Sequence, residues 1–285
     1  MKIWSTQFNP DRNFDLHKIP PRFRYVIAST PRSGSHFLGQ LMASTHVLGD
    51  PLEYFNRANR QLWAALASEA GEDVQAYVEC RRTSPNGCFG MKLHFHHLAD
   101  ALDEFGADRF FRTHRFVVIR RQDVLAQAIS CSIARQTGSW ISAAERRREP
   151  VYNAADITDR LIDILFQESQ WRSVALLQDL ERIEVVYEDI VRDAQAALIE
   201  ITNFVTQGDA RFDGELRVGT QRQAERINEA WRDRYIDEMQ ASSASWATAH
   251  EKILDGRLVR QAAGSRRTWT LLSSIEHVRR QLLRG

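Results

Sequence analysis

Lysine is scarce in this chain: Lys2, Lys18, Lys92 and Lys252 are the only four among 38 basic residues, and arginine carries the rest. Arginine grips phosphate and sulfate with a two-pronged fork, although an arginine excess is equally what a GC-rich genome produces. Cysteine is scarcer still. Cys80, Cys88 and Cys131 are odd in number and form no C-x-x-C pair, which argues against a disulfide framework or a cysteine zinc site and for a reducing compartment. Long apolar runs are missing as well: the opening M-K-I-W-S-T-Q-F-N-P has no leader-like stretch, and nothing later is long enough to span a membrane. The expectation is a cytoplasmic protein. A net charge of +1 leaves no global electrostatic case for nucleic acid.

What is present suits a packed domain. With 43% hydrophobic and 26% charged residues over 285 positions, the chain can fill a core, so disorder and fibrous repeats are excluded as overall descriptions. Branched and aromatic runs predict strands at 25–28, 116–119 and 183–187, and the segment 88–93 supplies a fourth. Each is followed by a helical pattern, so the fold class is α/β, a parallel sheet flanked by helices. The longest helical pattern covers 157–180. There Leu161, Ile164, Leu165, Trp171 and Leu176 are expected in the core, and Asp156 is the expected cap. Residues 137–150 have no strong period and read as a loop or short helix. The division expected is a main domain over 1–240 and a helical C-terminal extension over 241–285.

The first strand runs into S-T-P-R-S-G-S-H, residues 29–36, and then into a helical face made by Phe37, Leu38, Leu41 and Met42. A strand, a turn of small residues and a helix start aim backbone N–H groups and a positive helix end at one place, which suits an anion. Arg32 adds charge, and Ser33 and Ser35 add hydroxyl donors. The loop lacks G-x-x-x-x-G-K-[ST] and has no lysine to reach outer phosphates, so an ordinary Walker ATPase is disfavoured.

The segment 25–55, Y-V-I-A-S-T-P-R-S-G-S-H-F-L…G-D-P-L-E-Y-F, resembles the start of the bacterial trehalose 2-sulfotransferase family. Four further blocks agree in order: N-G-C-F-G-M-K-L at 86–93, R-R-Q-D…Q-A-I-S at 120–130, Q-T-G-S-W at 136–140 and Q-R-Q-A at 221–224. The resemblance spans about residues 24 to 240, and the ordered set is far more specific than any one block.

That resemblance implies a P-loop-like sulfotransferase fold and 3′-phosphoadenosine 5′-phosphosulfate (PAPS) as sulfuryl donor, with the 3′,5′-bisphosphate PAP as product and no metal. It implies a carbohydrate or glycolipid hydroxyl as acceptor. Arg32, Ser33, Gly34, Ser35 and His36 then cradle the 5′-phosphosulfate, His36 standing where the family has Thr. Arg121 and Ser130 hold the 3′-phosphate, with Arg120 adjacent to share the contact, and Arg222 closes over the nucleotide. Glu53 matches the family's catalytic carboxylate; from the residues alone it reads equally as a carboxylate at a helix start. Members of the family form dimers, so a homodimer is implied.

Other groups stay open. His94, His96 and His97 suggest a metal, but no cysteine or carboxylate set completes such a site. Lys92 aligns with a family lysine. The tail over 256–285 has seven arginines against one Glu and an apolar helical face; it packs on the domain, pairs subunits, or touches an anionic membrane peripherally. The alternatives to sulfotransfer are a P-loop-like kinase or phosphotransferase and a non-catalytic nucleotide-binding protein.

Overall fold

The computed structural model describes residues 13–14, 20–140, 148–212, 214 and 226–241. The chain divides into two compact units, Met1–Asn228 and Glu229–Gly285. In the first, four strands form one parallel sheet in the order β2-β1-β3-β4: β1 Phe23–Ser29, β2 Cys88–His94, β3 His114–Arg120 and β4 Arg182–Val186. The expected α/β class is therefore present. Helices lie between the strands: α1 Ser35–Ser44, α2 Arg57–Ala70, α3 Val74–Arg82, α4 Leu98–Phe105, α5 Ala107–Thr113, α6 Val124–Thr137 and α7 Ala154–Leu177. After β4 come α8 Tyr187–Arg192, α9 Ala194–Thr206 and α10 Arg226–Ala241.

The central strands are legible as apolar runs because they are buried on both faces. Tyr25, Ile27, Val117 and Ile119 meet α1 and α9 through Leu38, Leu41, Met42, Leu198 and Ile201. Val26, Ala28 and Phe116 meet the other layer, where Trp63, Leu98, Phe105, Phe110 and Trp171 pack. The chain goes from β1 out to β2, then crosses back to β3 on the other side of β1. The crevice of such a sheet opens beyond the carboxyl ends of β1 and β3.

The helix expected over 157–180 is α7, which starts three residues earlier. Its cap is Asn153, which accepts from the Asp156 N–H at 2.9 Å, rather than Asp156 itself. Asp156 instead accepts from the Ser132 hydroxyl at 2.6 Å, joining α7 to α6. Ile164 and Trp171 are buried as expected, but Leu165 and Leu176 are 48% and 76% exposed. The buried stripe runs through Ile157, Ile164, Gln167, Trp171 and Val174, and those two leucines lie off it.

Candidate functional site

The turn after β1 is shaped by two left-handed residues, Arg32 at φ 63° and Gly34 at φ 91°. Gly34 is required twice over. Its φ disfavours any other residue, and a Cβ there would stand 2.2 Å from Cδ2 of Tyr187. Gly34 also caps α1 with no side chain of its own, so the first-turn N–H groups are left for a ligand. Ser33 is fully buried with its hydroxyl unpartnered, and Ser35 is buried beside it. The His36 ring Nε2 lies 3.0 Å from Gln40 Nε2 on α1.

Arg32 turns away from α1 towards α6. Its Nε donates to Ser130 Oγ at 3.0 Å and its NH1 to the Trp140 carbonyl. The two groups that the resemblance assigns to separate phosphates are thus joined directly. Asp123 caps α6, accepting from the Ala126 N–H at 2.9 Å, as its position before the helix implies. Gln127, in the same helix, donates to Thr30 Oγ1 at 2.8 Å and to the Pro31 carbonyl at 2.7 Å, fixing the loop against α6.

Arg121 and Arg120 part company. Arg121 lies 5.3 Å from the centre of the Tyr187 ring, and its buried Nε, which makes no hydrogen bond, stands 3.8 Å from Glu188 Oε1. Burial first, and then the charge of Arg121, press the Arg32 guanidinium below its ordinary value, against opposing effects of Cys131 and Tyr187. Two crowded guanidinium groups and an orphaned serine hydroxyl make a place that an anion would relieve. Arg120 pairs with Glu184 and lines a cleft of about 320 Å³ beyond the ends of β1 and β3, together with Ser29, Thr30, Arg172, Arg182 and Trp171. Arg121 does not line that cleft.

Glu53 lies across β1 from these groups. Its segment is pinned to the outer side of β2 by the Leu52–Met91 bridge and by the Lys92 N–H donating to the Leu52 carbonyl at 2.8 Å. Below it, the buried pair of Arg82 and Asp50 and the Tyr54 hydroxyl on the Asp50 carbonyl at 2.5 Å hold the turn. The α2 cap is Asn56, and that helix has no acidic residue in its first turn, so Glu53 is not a helix-start carboxylate. Lys92 Nζ stands 2.7 Å from Glu53 Oε1, and His94 Nε2 stands 3.5 Å from the same oxygen. Burial alone would raise the Glu53 carboxyl; Lys92, and His94 when its Nε2 carries a proton, outweigh it and hold the group well below the usual carboxylate range.

A chain of contacts links this carboxylate to the loop. Ser29, the last residue of β1, lies with its hydroxyl 2.9 Å from His94 Nδ1, and the Ser29 carbonyl accepts from the Trp171 indole at 3.0 Å. The arrangement can hold an anion beyond β1 and β3 and take a proton beside β2. Sequence reasoning overlooked Tyr187, Gln127 and the place of His94 in this chain. Gln127 and His94 stand inside motifs already singled out; Tyr187 reaches Gly34 from so far along the chain that no local pattern joins them. Arg222, the Q-R-Q-A block and the expected C-terminal extension beyond Ala241 lie outside the described residues.

The family model described as Stf0 sulphotransferase matches residues 24–238. A trehalose 2-sulfotransferase of Mycobacterium tuberculosis is 26% identical over 252 residues, which cover 74% of this chain and 93% of that protein. A second trehalose 2-sulfotransferase, from Mycolicibacterium smegmatis, is 24% identical over the same shares. Among solved structures, the sulfotransferase domain of the Synechococcus PCC 7002 olefin synthase aligns over 79% of this chain and 90% of its own, at 18% identity and a TM-score of 0.40.

Proposed function

The chain belongs to the Stf0 sulphotransferase family and is a sulfotransferase enzyme, and from that premise we propose that it moves the sulfuryl group of PAPS to a carbohydrate hydroxyl with Glu53 as general base. Both curated relatives are named for trehalose, which makes trehalose the first acceptor to try and trehalose glycolipids the next.

In this reading Arg32, Ser33, Gly34, Ser35 and His36 hold the 5′-phosphosulfate, and Arg121 with Ser130 holds the 3′-phosphate. The orphaned Ser33 hydroxyl, and an Arg121 Nε that makes no hydrogen bond, support that division. Arg32, bonded to Ser130, stands at the boundary between the two. Arg222 keeps the role that the resemblance gives it.

The observation that carries the reading is the convergence of Lys92 and His94 on Glu53, next to a turn shaped for an anion. Glu53 is ionised at neutral pH and so free to accept the acceptor's proton. Lys92 and the guanidinium groups offset the charge that gathers on the transferring and leaving oxygens. A kinase-type alternative lacks a lysine in the loop. A homodimer in the cytoplasm completes the reading. Among the described residues no helix is long and apolar enough to cross a membrane. Light scattering at micromolar protein tests the dimer.

Transfer of labelled sulfate to trehalose tests the activity. Glu53→Gln keeps the size of the side chain and removes the proton acceptor, so turnover should fall by about 10²–10⁴ while calorimetric affinity for PAP hardly changes. Turnover close to wild type in that variant would take Glu53 out of the mechanism.

A further inference from the structure

Glu53 has a neighbour that the reaction as described leaves idle. His94 ends β2 with both ring nitrogens engaged: Nδ1 at 2.9 Å from Ser29 Oγ and Nε2 at 3.5 Å from Glu53 Oε1. The Ser29 hydroxyl has a single proton and a second partner, the Leu93 carbonyl at 3.1 Å, which can only accept. When Ser29 donates to Leu93, its oxygen is left to accept from Nδ1–H. A ring protonated on Nδ1 turns the Nε2 lone pair towards a carboxylate oxygen, and that contact becomes favourable when a proton lies between them.

We propose that His94 is the positioning residue of Glu53: Ser29 fixes its ring with Nδ1 protonated, so that Nε2 receives the proton that Glu53 takes from the acceptor hydroxyl. The inference rests on the sulfotransfer reading. In the step, a lone pair of the acceptor oxygen forms the new S–O bond. The S–O bond to the donor's phosphate breaks and leaves its electron pair on the phosphate oxygen. The hydroxyl proton passes to Glu53 and on to His94 Nε2, and from there to solvent once product leaves.

The surroundings direct the proton this way. Lys92, 2.7 Å from the same Glu53 oxygen, favours the ionised carboxylate, so Glu53 hands the proton on. His97 Nδ1 accepts from the His94 backbone N–H at 3.4 Å, and burial, with His96 and His94 adding to it, pushes His97 down to about 3. His96 is lowered by burial and then by His94, with Glu53, and Asp163 and Gln167 of α7, opposing the shift. Both rings are therefore neutral near neutral pH and do not compete for the proton. A ring present only for packing against His96 and His97 would need neither Ser29 nor Glu53.

The experiment uses the full chain with His94→Asn and His94→Gln, assayed for labelled-sulfate transfer to trehalose across the pH range, beside nitrogen NMR of histidine-labelled wild type and Ser29→Ala. Unchanged calorimetric binding of PAP identifies folded variants. Turnover should fall about 10- to 100-fold with KM for trehalose within about twofold. The pH profile of turnover should change in both variants, because the group that takes the proton from Glu53 is gone. NMR should find the His94 proton on Nδ1 in wild type and lose that preference in Ser29→Ala. Wild-type turnover and pH profile in both His94 variants overturn the proposal, as does an Nε2 proton in the resting wild type. A wild type that sulfates no sugar overturns instead the sulfotransfer reading, and the NMR still reports on the ring by itself.

Discussion

A buried histidine with one unmatched nitrogen makes a fold sensitive to acid, and His114 is such a residue. It opens β3, is 3% exposed, and stacks on Phe110 at 4.5 Å and edge-on to Phe105 at 5.2 Å. Nδ1 lies 3.0 Å from the Phe110 carbonyl, while Nε2 is buried without a partner. Burial pushes the ring down to about 3, against the opposing Phe110 hydrogen bond. An unfolded histidine titrates near 6.5. Between about 6.5 and 3 the unfolded chain therefore holds one proton more than the folded one, and stability drops as pH falls, by roughly 1.4 kcal/mol per pH unit for this group. His114→Phe keeps the ring stack and removes the titration. Urea unfolding at several pH values in that window should show a slope shallower by about that amount; an unchanged slope would place the acid sensitivity elsewhere. Nothing local in T-H-R announces this burial, because the aromatic residues that enclose the ring arrive with α4 and α5. Ser33 and Arg32, by contrast, were legible, since a strand, a small-residue turn and a helix occupy consecutive positions.

At the scale of elements, the sheet was readable because β1 and β3 are covered on both faces and are apolar through their centres, 25–28 and 116–119. The edge element β4 was readable for its branched residues, although the run ends at Val186 and Tyr187 already begins α8. That one-residue change of element matters, since the Tyr187 ring packs against Gly34 of the β1 turn. Helix α7 was predicted at nearly its true length, but its buried stripe was drawn too wide: leucine spacing alone does not tell which leucines face the sheet. The closeness of α8 to the loop yields a test. Gly34→Ala meets the Tyr187 ring and a left-handed backbone that costs roughly 1–3 kcal/mol to impose on alanine. PAP affinity by calorimetry should drop at least about tenfold, since each 1.4 kcal/mol is a factor of ten. Adding Tyr187→Ala removes the collision and leaves the backbone strain, so the double variant should recover only part of the loss. Full affinity in Gly34→Ala would mean that the turn is not what holds the phosphate.

For the whole molecule, the decisive feature is the order β2-β1-β3-β4, which brings ends of strands far apart in sequence to one crevice. Ordered motifs showed which segments belong together; they did not show that Arg32 would bond Ser130, because that contact depends on how the β1 turn and α6 approach across the sheet. On the proposed reading a ligand with phosphates at both ends would span this junction and should bind the folded chain alone. At a PAP concentration about 100 times its Kd, the expected stabilisation is about 2.7 kcal/mol. For a chain of this size that amounts to roughly 5–10 °C in melting temperature. AMP, lacking the 3′-phosphate, should give much less at the same concentration. Arg121→Ala removes a charge-assisted contact worth about 1.5–3 kcal/mol, which weakens PAP some ten- to a hundredfold. At that fixed concentration its PAP shift should shrink to about half or less, while the small AMP shift stays as it was. Equal shifts for PAP and AMP in the wild type would remove the 3′-phosphate from the crevice, and an undiminished PAP shift in Arg121→Ala would move that phosphate to another cation.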